Sequence, residues 1–293
     1  IGSDNRIGFV VPSVEMGQGV TTSMPTILAE ELDVEPEQID IVLASVHKAY
    51  RQQGMFTQGT GGSTSILKWW ELLSRTGAAA RSMLVQAAAD RWQVPPNECQ
   101  TQAGQVLHVD SERKLSYGEL AEAASKLEVP EDPPRKDSSK YRLVGQPLKR
   151  LDGLAKVTGQ AQFGIDVKVP GMLYATVRQS PVFEGVVLRY NESSALEVKG
   201  VVKVVKILNG VAVVAEKFWQ AKKGADALRI EFSGGKSQGL DDQQLEQQLT
   251  EALDNLGKTE ISGEQTLDVE YFLPYLAHAT MEPMNCTADV RAD

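Results

Sequence analysis

The stretch at residues 58–66, Gln-Gly-Thr-Gly-Gly-Ser-Thr-Ser-Ile, constrains the fold of this chain more than any other. It contains three glycines and four hydroxyl side chains, and it runs into an apolar pattern that predicts a helix up to residue 92. A glycine-rich turn at a helix start leaves backbone N–H groups free, and the helix dipole favours negative charge there. The stretch therefore predicts an anion or cofactor site. An ordinary capped helix is the alternative, because Ser and Thr are good N-caps.

The same arrangement occurs earlier, at residues 15–23. The sequence Glu-Met-Gly-Gln-Gly-Val-Thr-Thr-Ser precedes a second amphipathic pattern, whose apolar residues include Met24 and Leu32. Gln18 lies between two glycines, where its amide can both donate and accept hydrogen bonds. Two such turns, each able to take one phosphate, are interpreted as a pyrophosphate clamp.

The known phosphate fingerprints do not fit either turn. A P-loop requires Gly-Lys-Ser/Thr, and no lysine follows either glycine cluster. A Rossmann turn requires a third glycine, and Thr22 and Thr64 occupy those positions. A dinucleotide bound by these turns would be held in some other way.

The composition argues against several classes of protein. With 30 basic and 39 acidic side chains the net charge is -9, which argues against binding to nucleic acids or to an anionic membrane surface. Cys99 and Cys286 have no spacing typical of a disulfide framework, and three histidines give little support to a zinc cluster. No apolar run approaches the roughly 20 residues that a membrane-spanning helix needs. No residue is assigned as catalytic or as a metal ligand.

Strand and helix patterns are mixed along the chain and predict an α+β fold. The first part has predicted strands at 6–13 and 39–45, a hairpin at 99–109 and a short helix at 117–127 with a Ser116 cap. The proline-rich, charged residues 128–142 predict an exposed connector. The second part has predicted strands at 156–164, 173–179, 201–208, 210–215, 229–232 and 266–273, and predicted helices at 193–199, 218–228 and 241–256.

Two groups of side chains receive structural interpretations. Glu15, Glu30 and Glu31 are expected to be solvated or helix-surface acids, because carboxylates are rarely buried. The tryptophans are expected to pack in cores, because large aromatic side chains mainly supply buried area. They are Trp69, Trp70, Trp92 and Trp219.

Three motifs occur in order along the chain: Glu-Met-Gly-Gln-Gly-Val-Thr-Thr at 15–22, Gly-Thr-Gly-Gly-Ser-Thr-Ser at 59–65, and His-Ala-Thr-Met-Glu-Pro-Met-Asn-Cys-Thr-Ala at 278–288. Together they resemble the large, molybdenum-binding subunit of the xanthine dehydrogenase and aldehyde oxidoreductase family, in the branch named for the isoquinoline 1-oxidoreductase beta subunit. The segments 150–161 and 170–175 resemble the entry to that family's α/β hammerhead domain. The resemblance covers essentially the whole chain.

The resemblance implies a molybdopterin cofactor, in bacteria usually the cytosine dinucleotide, and hydroxylation of aldehydes or N-heterocycles with oxygen from water. It also implies that electrons leave through an iron–sulfur small subunit or a cytochrome c subunit carrying haem. His278 and Glu282 fall in a segment near the family's molybdenum site, and ordinary polar residues at a domain junction are the alternative. The family's cofactor contacts map onto Gly17, Gln18, Gly19, Thr60, Gly61, Gly62, Ser63, Thr64 and Ser65.

The resemblance also divides the chain. It implies part of a molybdopterin-binding domain at 1–127, a linker at 128–149, an α/β hammerhead-like domain at 150–235, and the truncated start of a second cofactor-binding region at 236–293. The chain is interpreted as a piece of a longer protein, inactive alone because the family's general-base segment has no counterpart in it. A non-catalytic binding or assembly module, whose glycine turns only cap helices, is the alternative. The compartment is left open between cytoplasm and periplasm, and the resemblance favours the periplasm.

Overall fold

The structure is a computed structural model that describes residues 1–52, 54, 56–236, 238–256, 265, 267 and 269–291. The chain forms two compact units, Ile1–Gln162 and Phe163–Asp293. Each unit has a buried apolar cluster of its own. Helices and strands are mixed along the chain, which confirms the α+β class. Within the described ranges, every helix is too short or too polar to cross a bilayer.

Unit 1 begins with a parallel β-α-β arrangement. Its elements are β1 (Ile7–Val11), α1 (Val20–Leu32) and β2 (Ile39–Leu43). The two strands pair in parallel, with Ile7 opposite Ile39. Because both strands point the same way, the segments that follow them, 12–19 and 44–64, leave from the same edge of the sheet. Both strands, and the helix after the first turn, are confirmed predictions.

The long helix α2 (Ser65–Trp92) runs beside α1 and confirms the helix predicted after the second turn. Just before the two helices begin, the N–H of Val14 donates to Oγ1 of Thr60 over 2.9 Å. About a dozen residues into each helix, ~18 Å along its axis, they meet again at Gly77. A Cβ added there would lie 2.8 Å from Cβ of Glu31. These two contacts mean that α1 and α2 run parallel and begin at the same end.

A three-stranded antiparallel sheet and a short helix pack onto this arrangement. They are β3 (Cys99–Gln102), β4 (Gln105–His108), β5 (Arg113–Ser116) and α3 (Tyr117–Ala124). The predicted hairpin turn is confirmed, with φ values of 49° at Ala103 and 79° at Gly104. The predicted Ser116 cap is also confirmed. The Tyr117 hydroxyl donates to the carbonyl oxygen of Leu32 over 2.6 Å, so α3 is tied to the end of α1.

The expectation of an exposed connector at 128–142 is confirmed for most of these residues, but Lys136 and residues 142–144 contact α1. Leu143 is only 4% exposed, and its N–H donates to the Glu30 carboxylate over 2.6 Å. The ammonium group of Lys136 forms ion pairs with Glu30 and Asp33. The segment 128–149 has the composition of a linker, yet some of its charged groups and backbone N–H groups bind α1. The domain boundaries themselves stay predictions.

Glu30 and Glu31 are buried, at 2% and 1% exposure, so the expectation of helix-surface acids is wrong. Burial opposes the charge of Glu30, but N–H donors of residues 142–144 and the charge of Lys136 outweigh it and lower the pKa of Glu30. Burial raises the pKa of Glu31, although Arg81 lies 3.3 Å from its carboxylate. The pKa values of these two adjacent acids therefore shift in opposite directions, because only Glu30 receives three consecutive backbone N–H groups.

The strand predicted at 156–164 is wrong. Helix α4 (Gly153–Val157) lies at its start, within unit 1. The carboxylate of Asp152 lies 2.6 Å from the ammonium group of Lys156, one helical turn further on. Such a pair, at positions i and i+4, supports a helix.

Unit 2 contains a three-stranded antiparallel sheet in the order β6-β9-β8 and a separate antiparallel pair, β7 with β10. Its elements are β6 (Tyr174–Gln179), β7 (Val187–Asn191), α5 (Ser193–Leu196), β8 (Val201–Ile207), β9 (Gly210–Ala215), α6 (Phe218–Ala227), β10 (Arg229–Phe232) and α7 (Asp242–Asn255). Ala225 of α6 is buried with Val211 and Val213 of β9. The remaining predicted helices and four of the predicted strands are confirmed, and β7 lies outside the predictions.

Two expectations for unit 2 fail. Trp219 is 61% exposed rather than in a core, and the ammonium group of Lys223 lies 4.7 Å from the centre of its ring. Residues 269–273 form no strand, while Thr266 and Asp268 lie outside the described residues. The other tryptophans pack on the core of unit 1, as predicted: Trp69, Trp70 and Trp92.

Candidate functional site

The two predicted turns lie together beyond the carboxyl ends of β1 and β2. The hydrogen bond from Val14 to Thr60 joins the two segments directly. Because α1 and α2 begin at the same end, the positive ends of both helix dipoles face the same region. The structure therefore brings the two turns together, as the sequence analysis expects.

The first turn is closed by a carboxylate of the chain itself. Glu15 accepts the backbone N–H groups of Gly17 at 2.8 Å, Gly19 at 2.9 Å and Thr21 at 3.1 Å, and the Thr21 hydroxyl at 2.8 Å. Burial disfavours the charge, but these hydrogen bonds outweigh it and lower the pKa of Glu15 to about 2. The expectation of a solvated Glu15 is wrong. The N–H groups that the sequence analysis assigns to a phosphate already hold an anion.

Gln18 is also engaged within the first turn. Its amide nitrogen donates to the carbonyl oxygen of Val14 over 2.8 Å, and its amide oxygen accepts the N–H of Met16 over 2.6 Å. The two bonds use both ends of the side chain that the sequence analysis expects to contact a cofactor. They fix the position of the turn relative to Val14, the residue just before it.

Arg150 is a functional candidate that the sequence analysis missed. Its guanidinium donates to the carbonyl oxygen of Gly17 over 2.5 Å and lies 3.2 Å from the Glu15 carboxylate. Asp152 anchors the same guanidinium at 2.8 and 2.9 Å, and this contact holds the pKa of the Asp152 carboxyl well below its usual range. The N–H of Leu151 donates to a hydroxyl of α1 over 3.0 Å. The segment around Arg150 is thus attached to the first turn, and no local sequence signal predicts so distant a pairing.

The second turn presents open backbone. Gly62 and Ser63 have φ values of 62° and 56°, and both are exposed. A Cβ added at Gly61 would meet no atom within 4 Å. The Thr64 hydroxyl lies 3.0 Å from the side-chain oxygen of Gln52, and α2 begins without a side-chain cap. The hydroxyl-rich turn is therefore more than a helix cap, which weighs against the cap-only alternative for this turn.

A cavity of about 670 Å³ opens beside the second turn, within the size range of small-molecule sites. The segments that follow β1 and β2 line it, with apolar residues such as Val14 and Val46 and with the polar groups of His47, Lys48 and Arg51. No carboxylate is among the described residues that line it. The sequence analysis missed Lys48 and Arg51 as candidate site residues, because residues 47–56 have no periodic pattern.

Ser13 adds an unsatisfied polar atom to this region. Its side chain is 2% exposed, and Oγ has no hydrogen-bond partner within the described part of the chain. The neighbouring residues on both sides, Pro12 and Val14, line the cavity. Ser13 itself is not among the residues that line the cavity, so its hydroxyl is not assigned to the site.

A second group of ligand-type side chains lies elsewhere in unit 1. His108 is buried, with Nε2 3.1 Å from Glu98 and Nδ1 2.7 Å from the Ser111 hydroxyl. Asp110 lies close to both His108 and Glu98. Because both ring nitrogens of His108 already have hydrogen-bond partners, this group is interpreted as a hydrogen-bond network.

The third motif lies in unit 2, where His278 and Glu282 are both exposed. No element of regular structure includes them. Their proposed place near a molybdenum site stays a prediction.

A protein-family model described as "Molybdopterin cofactor-binding domain" matches residues 1–167, more than half of the chain. The match includes both turns, the cavity and the segment around Arg150.

Three curated proteins are similar to longer stretches. The isoquinoline 1-oxidoreductase beta subunit of Brevundimonas diminuta is 33% identical over 268 residues, 78% of this chain and 34% of that protein. A nicotinate dehydrogenase subunit of Pseudomonas putida is 31% identical, over 95% of this chain and 24% of that protein. The membrane-bound aldehyde dehydrogenase (pyrroloquinoline-quinone) of Gluconacetobacter polyoxogenes is 28% identical, over 98% of this chain and 40% of that protein. The chain thus spans less than half the length of each relative.

Proposed function

This chain belongs to the molybdopterin cofactor-binding domain family, and from that premise we propose that it forms part of the cofactor site of a molybdenum hydroxylase large subunit. The whole subunit would oxidise aldehydes or N-heterocycles with oxygen derived from water. The names of two relatives, an isoquinoline oxidoreductase and a nicotinate dehydrogenase, support an N-heterocycle. The observation that carries the proposal is the meeting of two glycine-rich turns beside a cavity with cationic side chains.

The residues around the cavity suit such a cofactor. The exposed backbone of residues 61–63 would hold its anionic part, with Thr60, Thr64 and Ser65 beside it and the start of α2 behind it. Gly17, Gln18 and Gly19 are proposed as contacts through atoms other than the N–H groups that Glu15 already binds. When bound, molybdenum would accept the electrons of substrate oxidation, and the protein would position the cofactor.

The cofactor form and the protein partners belong to the same proposal. We propose the cytosine dinucleotide form, because a diphosphate suits open N–H groups beside cations that have no ion-pair partner among the described residues. Electrons would leave to an iron–sulfur small subunit or a cytochrome c subunit. Two of the relatives are named as subunits, which supports an assembly of several chains.

A non-catalytic assembly module remains the competing function, and one observation favours it. The carboxylate of Glu15 fills the first turn, as a purely structural helix start would require. The second turn has no such internal anion among its described contacts. The two functions therefore differ in what they predict for the second turn.

Size-graded substitution of Gly61 tests the proposal. Its added side chain would enter open space, so the fold should tolerate Gly61→Leu, while a ligand against this backbone should not. We expect the full-length protein to contain molybdenum and cytidine monophosphate released by acid hydrolysis, and Gly61→Leu to lower both at least fivefold. Gly61→Ala is the matched control and should retain most of the cofactor. A wild-type protein without molybdenum, or a Gly61→Leu variant with full content, would contradict the proposal.

A further inference from the structure

The two turns differ in the charge that each already holds, and this difference bears on where a diphosphate would bind. In the first turn, the N–H groups of Gly17, Gly19 and Thr21 surround the ionised Glu15. An anion placed there would meet a carboxylate whose pKa is about 2, so the two would repel each other at neutral pH. The N–H groups of this turn are therefore unsuited to hold a second negative group.

The cavity beside the second turn has the opposite charge. Lys48 and Arg51 line it, and neither forms an ion pair with the described residues. Both side chains are therefore available to an anionic ligand in the cavity. Such groups hold phosphate well, Arg through paired N–H donors and Lys as a point charge.

Local hydrogen bonds hold the segment that carries these cations. The N–H of His47 donates to the side-chain oxygen of Gln58 over 3.0 Å, which connects the two sides of the cavity. The N–H of Ala49 donates to Nδ1 of His47 over 3.2 Å and starts a short 3₁₀ turn, Lys48–Tyr50. Lys48 and Arg51 thus stand at either end of one turn, on a segment fixed to the opposite wall.

We propose that Lys48 and Arg51 bind the diphosphate of the nucleotide cofactor in this cavity, and that Glu15 makes the first turn a structural wall. The inference rests on the proposed function and changes one part of it. The diphosphate lies between the second turn and the two cations, and the two turns do not clamp it from both sides. Val14 and Val46 form an apolar side of the cavity, and the proposal places a ring of the cofactor against them.

The test uses inorganic pyrophosphate, titrated by calorimetry into full-length protein from a host that cannot make the molybdenum cofactor. We expect binding to the wild-type protein and at least tenfold weaker binding to Lys48→Ala/Arg51→Ala. The matched control is Arg91→Ala/Lys114→Ala, which removes the same charge from exposed positions on α2 and β5, outside the cavity lining. The control should bind pyrophosphate within twofold of wild type.

The outcomes separate this inference from the proposed function. If wild type fails to bind pyrophosphate, or if the cavity variant binds it as wild type does, the inference is wrong. An equal loss in the control variant would also overturn it, because the effect would then come from net charge alone. Molybdenum content of the wild-type protein from a cofactor-producing host tests the proposed function separately. Molybdenum in wild type and at an equal level in Lys48→Ala/Arg51→Ala would leave that function standing and refute only the role of the two cations.

Discussion

Replacing Glu30 by glutamine is the sharpest test of how α1 holds the segment that follows α3. The Glu30 carboxylate accepts the N–H groups of Arg142 at 2.9 Å, Leu143 at 2.6 Å and Val144 at 3.0 Å, and it is 2% exposed. The glutamine side chain would keep one oxygen acceptor but lose the charge. If each of the three bonds weakens by about 1 kcal/mol, the local free energy of opening falls by about 3 kcal/mol.

Hydrogen–deuterium exchange of the full-length protein measures this loss directly. A change of about 3 kcal/mol corresponds to roughly a hundredfold lower protection of amides 142–144 in Glu30→Gln. The matched control is Glu31→Gln, at a neighbouring buried carboxylate whose pKa burial raises. At pH 7 it should lower protection less than about fivefold, because burial already disfavours the charge that it removes. Equal effects of the two substitutions, or no effect of Glu30→Gln, would refute this assignment.

The pH dependence has a definite sign. The folded-state pKa of Glu30 lies below its unfolded value of about 4.3. Its contribution is therefore complete above that value and is lost as pH falls through the lower, folded-state pKa. The difference between wild type and Glu30→Gln should be full at pH 7 and should shrink below about pH 4.

Two further substitutions test the packing of unit 1 by thermal and urea unfolding. Gly77→Ala should lower the free energy of unfolding by ~1–3 kcal/mol, because the new methyl would lie 2.8 Å from Cβ of Glu31. Gly61→Ala is its control, and an equal loss in both would contradict the close approach of α1 and α2. Tyr117→Phe should cost about 1–2 kcal/mol, since it removes the 2.6 Å hydrogen bond to Leu32. Tyr141→Phe, at a half-buried tyrosine, should cost less than ~0.5 kcal/mol, and a larger loss there than at Tyr117 would contradict the interpretation.

Local patterns in the sequence predicted most of the secondary structure. The strands at Ile7 and Ile39, the long helix from Ser65 and the capped helix after Ser116 all depend on neighbours within a few residues. Hydrophobic period and cap chemistry contain that information. The proximity of the two glycine-rich turns also follows from local elements, since parallel strands place the segments after them at one edge.

The predictions from the sequence were wrong where a charged side chain binds backbone groups that are distant along the chain. Glu30 binds N–H groups more than 110 positions away, and Arg150 reaches a turn more than 130 positions away. Carboxylates are seldom buried, and the sequence does not reveal these distant partners. It therefore predicts that the acids are on the surface. The strand predicted at 156–164 failed for a different, local reason, because Asp152 and Lys156 form an ion pair one helical turn apart, which supports a helix.

These distant contacts attach residues 142–150, which include the end of the predicted linker, to α1 and to the turn before it. Near the end of α1, Glu30 holds residues 142–144. At the beginning of α1, Glu15 and the carbonyl of Gly17 hold Arg150. Residues 142–150 therefore run from the last turn of α1 back to the turn that precedes it, and Glu30 and Glu15 hold the two ends of this stretch. Acidic side chains are thereby engaged in internal hydrogen bonds, while the cavity lining keeps its two cations. A net charge of -9 thus describes the chain as a whole and has the opposite sign to the charged side chains that line the cavity.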